Sequence, residues 1–163
     1  YMGTLNQAIK EYTFNLQRGE IQLAYKGILE FIGKLRVYFI KAYPYCEIGG
    51  LYQGYMDMSY FPLSTEQLKD KGLKIAIVYV HDKGCFEVWL SAKNREISKR
   101  YTSIFLDKVF DEIDVFHDEN NPDAIIECVL IKLPDFENQE VLRDTIAKGV
   151  EKFTLAVNSL LSA

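Results

Sequence analysis

Apolar residues recur along the chain at two spacings, one typical of helices and one typical of strands. In four long stretches they return every three or four positions, which places them on one face of a helix. The stripe that begins at Leu142, Ile146 and Val150 and continues to Leu160 is the most regular of these. The pattern predicts long helices over residues 4–17, 20–42, 94–110 and 138–161.

Short apolar runs between the helices predict strands. The two best defined runs, 74–81 and 85–91, flank Asp82-Lys83-Gly84, which is typical of a tight hairpin turn because glycine tolerates positive φ. Both alternating faces of the run 74–81 are apolar, as in a strand from the middle of a sheet. Two further runs predict strands at 48–61, which Pro62 would end, and at 124–132.

This order of elements predicts one α+β domain over residues 1–163. Its sheet would be roughly four-stranded and largely antiparallel, with the central hairpin 74–91 and the long helices packed around it. A short helix is predicted after Ser64, because Ser64-Thr65-Glu66-Gln67 has the form of a capping box. The acidic segment 111–123 is predicted to be a loop or an edge segment. Gly149, on the flank of the last helix, is expected to let another element approach closely.

Composition and charge narrow the range of functions. The net charge is −4, and the densest basic run falls within the predicted helix 94–110, so the sequence does not favour nucleic-acid binding. The three cysteines have no metal-binding spacing, which predicts no structural zinc and reduced thiols in a cytoplasmic protein. No signal peptide and no run long enough to span a bilayer is expected. No nucleotide-binding motif occurs, so no cofactor is expected.

Polar side chains inside predicted strands are the candidates for a site. A carboxylate such as Asp57 or Glu87 is costly to bury in a strand unless it is paired, and an unpaired one indicates a functional role. An ion pair of Glu87 with Arg95, or simple exposure on an open sheet face, would explain these positions. Alternatively they converge on one polar, aromatic-walled pocket. Under that hypothesis the ligand-binding residues are Tyr55, Asp57, Glu87, Trp89 and Arg95. No catalytic residue and no metal ligand can be assigned.

Two stretches resemble a known family. The run FEVWLSAKNR at 86–95 and the run YQGYMDMS at 52–59 are similar to sequences from a family of small bacterial proteins that is described only as a domain of unknown function. The resemblance extends over most of the chain. It implies a bacterial, cytosolic protein, and it carries over no catalytic residue.

Two classes of function therefore stay open. The first is a ligand-binding or protein-interaction domain whose partner is a small molecule or a protein, with self-association into a homo-oligomer as one form of it. The second is a metal-dependent nuclease, because the order helix, three strands, helix, strand resembles the PD-(D/E)xK enzymes. In that case Asp57 or Asp82 would be the acid and Glu87 the glutamate that hold Mg²⁺. Trp89 stands where that family has its lysine, so Lys93 would have to replace it.

Overall fold

Five helices and six strands follow one another along residues 2–162, the part of the chain that the computed structural model describes. The helices are α1 (Leu5–Gln17), α2 (Glu20–Ala42), α3 (Glu66–Asp70), α4 (Arg95–Leu106) and α5 (Gln139–Ser162). The strands are β1 (Glu47–Ile48), β2 (Met58–Ser64), β3 (Leu73–Val80), β4 (Cys85–Ala92), β5 (Val115–Phe116) and β6 (Ile126–Ile131).

The strands form one antiparallel sheet in the order β1-β2-β3-β4-β6-β5. The α+β class and the central position of the β3–β4 hairpin are thus confirmed. The predicted number of four strands is wrong, since the sheet has six. The two additional strands, β1 and β5, are two residues long and lie at the two edges. A run of two residues shows no periodicity from which a strand could be predicted.

The strand predicted at 48–61 is observed later in the chain, as β2 at Met58–Ser64. Pro62 does not end this strand but lies within it. The carbonyl of Pro62 accepts a hydrogen bond of 2.9 Å from the Gly49 N–H, so the backbone polar groups of Pro62 point toward β1. The missing N–H therefore removes no hydrogen bond to β3. Asp57 lies just before β2 and not within a strand.

Helices α2 and α5 cover one face of the sheet and form the main core with it. The aromatic side chains of Phe39, Phe61 and Phe153 are fully buried there. A Cβ atom at Gly149 would lie 2.5 Å from Leu130 Cδ2, which confirms that this glycine permits the close approach of α5 to β6. Burial of this apolar face is the main source of the stability of the fold.

The opposite face, called the open face here, carries no long helix. It presents a smaller apolar cluster that includes Ala76, Val78 and Trp89. Two buried carboxylates, Glu87 and Glu127, lie on the same face because they alternate with the core residues of β4 and β6. The residues of 118–123, called the roof segment, run across part of this face.

Two helices differ from the prediction. Helix α4 ends at Leu106 and not at residue 110, because the chain turns there and the ring of Phe110 stacks on that of Phe105 at 6.2 Å. Helix α1 has the predicted bounds to within one residue, but none of its residues is buried. It packs along α2, and its apolar stripe stays largely at the surface, with Ile9 49% and Tyr12 58% exposed.

Candidate functional site

Two cavities lie side by side on the open face and share a wall. The larger has a volume of about 460 Å³ and is called the aromatic cavity; the smaller, of about 280 Å³, is called the acidic cavity. Met58, Trp89, Pro122 and Asp123 line both. The two neighbouring cavities, between the sheet and the roof segment, are together called the groove here.

The aromatic cavity combines ring surfaces with positive charge. Tyr52 and Tyr60 pair across a bridge between two chain segments, and their ring centroids are 5.0 Å apart. Trp89 contributes a third ring, Lys74 and Arg95 contribute two cations, and Asp123 of the shared wall contributes one carboxylate. No carboxylate within residues 2–162 forms a salt bridge with Arg95. An exposed guanidinium beside aromatic rings can bind an anionic group of a ligand.

The acidic cavity has six carboxylates and one cation, Lys83, along its walls. The carboxylates belong to Asp57, Asp82, Glu87, Asp118, Asp123 and Glu127. A hydrogen bond from the Tyr55 N–H, at 3.0 Å, lowers the pKa of Asp57, so that this group stays ionised near neutral pH. The two ends of the groove therefore carry opposite charge.

Glu87 is buried, with 1% of its surface exposed, and orients the indole of Trp89. Its Oε1 accepts a hydrogen bond of 2.8 Å from Trp89 Nε1, and its Oε2 lies 3.4 Å from Lys83 Nζ. An ion pair of Glu87, one of the alternatives that the sequence left open, thus forms with Lys83 and not with Arg95. Burial and the neighbouring Glu87 raise the pKa of the Cys85 thiol to about 11, so this cysteine is neutral and unreactive.

Glu127 is equally buried and holds the roof segment against the sheet. Its two carboxylate oxygens accept hydrogen bonds of 2.9 Å from the Asp118 N–H and 2.8 Å from Asn121 Nδ2. A third bond, of 2.6 Å, runs from Ser91 Oγ to the Asp123 carbonyl. Burial raises the pKa of Glu127, and the two hydrogen bonds act in the opposite direction. This carboxylate thus fixes one wall of the groove.

A family model for a protein domain matches residues 5–161, and its description reads "Domain of unknown function (DUF7000)". The chain belongs to this family. The kind of family that the runs 52–59 and 86–95 indicated is therefore confirmed, whereas the bacterial origin stays a prediction. No curated protein and no solved structure matches this DUF7000 chain.

Four of the five predicted site residues of the DUF7000 chain line the groove. Asp57 and Glu87 lie in the acidic cavity, Arg95 in the aromatic cavity, and Trp89 in the wall that both share. Tyr55 does not belong to this group, because its side chain is 91% exposed and lines neither cavity. Its contribution is the backbone N–H that it donates to Asp57.

His81 lies outside the groove, on the same side of the sheet as Tyr79. Its ring is 4.9 Å from that of Tyr79 and 5.4 Å from that of Tyr25, and its Nε2 is 2.9 Å from Ser59 Oγ. Ser59 Oγ donates in turn to the Gln53 carbonyl, so Nε2 of His81 carries the proton that it shares with Ser59. These contacts give His81 a structural role at the end of β3.

The roof segment and the tyrosines of the aromatic cavity are parts of the site that the pattern of polar strand positions does not reveal. Tyr52 and Tyr60 have the same parity in the sequence, which is the one signal that points to a shared face. The roof segment has none, because its position depends on the hydrogen bonds that the Glu127 side chain accepts from Asp118 and Asn121.

Metal-dependent chemistry finds little support in the side chains that the structure describes. No three or more His, Cys, Asp or Glu side chains among residues 2–162 are grouped so that they could hold a metal ion. Lys93 is not part of the groove, and its side chain packs near Gly72. The nuclease function stays a prediction. Of the helices described, none is long and apolar enough to cross a membrane.

Proposed function

We propose that this DUF7000 domain binds a small molecule in the groove of the open face. The ligand has a flat ring, which packs between Trp89 and Tyr60, and an anionic group beside Lys74 and Arg95. The observation that carries this proposal is that three aromatic rings and two cations line one cavity of about 460 Å³. That volume is within the range of pockets for small molecules.

The acidic cavity defines the other end of this ligand. A hydrogen-bond donor or a cationic group of the ligand would lie there, because carboxylates outnumber cations among the lining side chains. The hydrogen bonds that Glu87 and Glu127 make keep Trp89 and the roof segment in position without the ligand. Such preorganisation reduces the entropy lost on binding.

Trp89 is the only tryptophan of the chain, so its fluorescence reports binding directly. We expect aromatic anions such as nicotinate and phenyl phosphate to change this fluorescence, and their neutral analogues nicotinamide and phenol to do so only at higher concentrations. Arg95→Gln should weaken the binding of the anions about tenfold or more, the usual loss for one charge-assisted contact. Arg100→Gln, on the same helix but outside the groove, is the matched control.

Two outcomes would contradict the proposal. One is a fluorescence signal that no aromatic anion changes, and the other is an equal loss of affinity in Arg95→Gln and Arg100→Gln. The nuclease hypothesis makes a different prediction for the same groove. It requires that Mg²⁺ or Mn²⁺ raise the melting temperature, that Asp57→Ala and Glu87→Ala abolish this effect, and that the protein cleave plasmid DNA.

A further inference from the structure

Helix α1 and the first half of α2 form a helical hairpin with an exposed apolar face, since none of residues 5–30 is buried. Leu5 is 76% exposed, and Ile9 and Tyr12 are about half exposed. Together with Leu16 they recur every three or four positions on one side of α1 and are called the α1 stripe. A lone helix of about 13 residues is only marginally stable in water, so α1 gains stability if a further surface packs on this stripe.

An apolar cleft of about 550 Å³ adjoins one half of the α1 stripe. It lies between α1, α2 and the loop before β2, and most of its lining is apolar or aromatic, including Tyr12, Leu16, Ile21, Leu29 and Met56. Leu5 and Ile9, in the other half of the stripe, do not line it. The same surface therefore presents protruding apolar side chains next to a cleft that can receive such side chains.

Charge decides which kind of partner fits this surface. Lys26 and Glu30, the charged residues of the cleft lining, are 4.0 Å apart and form a salt bridge with each other. Lys10 and Glu11, the charged residues of α1, each lie about 130° around the helix from the stripe. A strongly charged partner such as a nucleic acid gains no attraction here. A second α1 stripe, in contrast, can pack on this surface without burying an unpaired charge.

The accessible surface of the chain is large enough to include an interface with a second copy. A compact monomer of 18.8 kDa has an accessible surface of about 8,300 Å², whereas that of this chain is 10389 Å². A stable protein–protein interface takes about 800 Å² from each partner, and the excess of roughly 2,000 Å² exceeds this requirement. Residues 5–30 contribute to the excess, because none of them is buried.

We infer that two copies of this chain form a dimer through their α1 stripes and the clefts beside them. The two α1 helices run antiparallel about a two-fold axis at the middle of the stripe. Leu5 of one copy then lies against Leu16 of the second copy, and Ile9 lies against Tyr12, so each stripe reaches into the cleft of the other copy. This inference does not depend on the proposed function, because the cleft and the groove of the open face have no lining residue in common.

Sedimentation equilibrium of the chain of residues 1–163 should give twice the chain mass of 18.8 kDa, and the dimer should dissociate on dilution. The melting temperature should rise with protein concentration, as it does when unfolding separates two subunits. Ile9→Lys should weaken the dimer about a hundredfold or more, because a two-fold interface contains the substitution twice and each costs about tenfold. Phe14→Lys is the matched control. Phe14 is 60% exposed on the opposite side of α1, so this variant should still dimerise.

A mixing experiment tests the antiparallel arrangement. Tyr12→Glu alone should be monomeric, like Ile9→Lys. An equimolar mixture of the two variants should dimerise again, because the new lysine of one copy meets the new glutamate of the other and the second contact keeps Ile9 and Tyr12. Recovery in the mixture also shows that both variants fold. The inference is overturned if the wild-type chain stays at 18.8 kDa at every concentration, which would leave the stripe to a different partner. It is also overturned if Phe14→Lys dissociates the dimer as Ile9→Lys does, or if the mixture stays monomeric.

Discussion

The two buried glutamates of the open face hold parts of the groove in place, and their carboxylate oxygens are already hydrogen-bonded within the protein. Glu87 is 1% exposed, and its carboxylate oxygens contact the indole N–H of Trp89 and the ammonium group of Lys83. Glu127 is occupied by two donors of the roof segment. A carboxylate in a strand is costly to bury, and here each one is compensated by hydrogen bonds that fix a neighbouring part of the site.

The role of Glu87 can be tested by two substitutions that differ in one property. Glu87→Ala leaves the buried Trp89 N–H without its acceptor, so we expect it to lower the free energy of unfolding by about 1–3 kcal/mol. Glu87→Gln keeps an acceptor for the indole and loses mainly the attraction of the half-exposed Lys83, so we expect it to lower the free energy of unfolding less than Glu87→Ala does. Urea unfolding measures both. An equal loss in the two variants would show that the charge matters and the indole hydrogen bond does not.

His81 gives a prediction for the effect of pH on stability. Burial lowers the pKa of His81 below its usual 6.5, although Asp57 and Asp82 act against this. As the pH falls below 6.5, the unfolded chain binds a proton at this residue before the folded protein does, so the stability present above 6.5 is lost. Urea midpoints at about pH 7.5 and pH 5 should therefore differ more for the wild-type protein than for His81→Gln. Equal differences would rule out His81 as the source.

For single residues, the sequence predicts on which face of the sheet a side chain lies only within a continuous strand. Glu87 and Trp89 are in phase within β4, and strict alternation places them on one face. Tyr55 and Asp57 are also two positions apart, but they precede β2, where alternation does not apply. Asp57 reaches the groove through its hydrogen bond with the Tyr55 backbone, and the Tyr55 ring points into solvent.

At the scale of the elements, two helical glycines differ in how closely other atoms pack around them. A Cβ atom at Gly33 in α2 would have no neighbouring atom within 4 Å, whereas one at Gly149 in α5 would lie 2.5 Å from Leu130 Cδ2. Gly33→Ala should raise the free energy of unfolding by about 0.5–1 kcal/mol, because alanine favours the helix. Gly149→Ala should raise the free energy of unfolding less than Gly33→Ala does, or lower it, because the side chain of Leu130 must move to make room. Thermal or urea unfolding of the two variants compares them, and an equal gain would show that α5 and β6 are not closely packed there.

The elements that could be predicted are those long enough to show a period. The stripes of α2 and α5 and the apolar runs of β3 and β4 give bounds within one or two residues of those observed. The edge strands β1 and β5 exist because the neighbouring strands β2 and β6 offer unpaired backbone groups, and this information is not contained in two residues. Pro62 is tolerated in β2 for a similar reason, since its partner on that side is Gly49, just beyond the end of the short β1.

For the whole molecule, α1 is the element that contributes least to the core. It has no buried residue, and α2 is the one element that it contacts extensively. A chain that starts at Gly19 should therefore fold, with the near-ultraviolet circular dichroism of the chain of residues 1–163 and a cooperative urea transition. Loss of cooperativity in the shortened chain would contradict this. Light scattering of both chains also tests self-association, which should disappear with α1 if its exposed apolar stripe is the contact.

The sequence predicts the class of the fold better than the site, because the class depends on the long elements and the site depends on how distant segments meet. Asp123 reaches the groove only because Ser91 binds its carbonyl and Glu127 holds the residues before it. Ser91 and Asp123 are 32 positions apart in the chain, and Asp118 and Glu127 are nine positions apart. Such contacts follow from the folded structure and leave no local periodicity.

The strand order also has a consequence for folding kinetics. From β1 to β4 every strand pairs with its successor in the chain, so these four can assemble outward from the β3–β4 hairpin by closing short loops only. The pairing of β6 with β4 spans α4 and the roof segment, and it carries a higher entropic cost of loop closure. We therefore expect the hairpin to belong to the folding nucleus and the groove to be completed late, after the rest of the sheet has condensed.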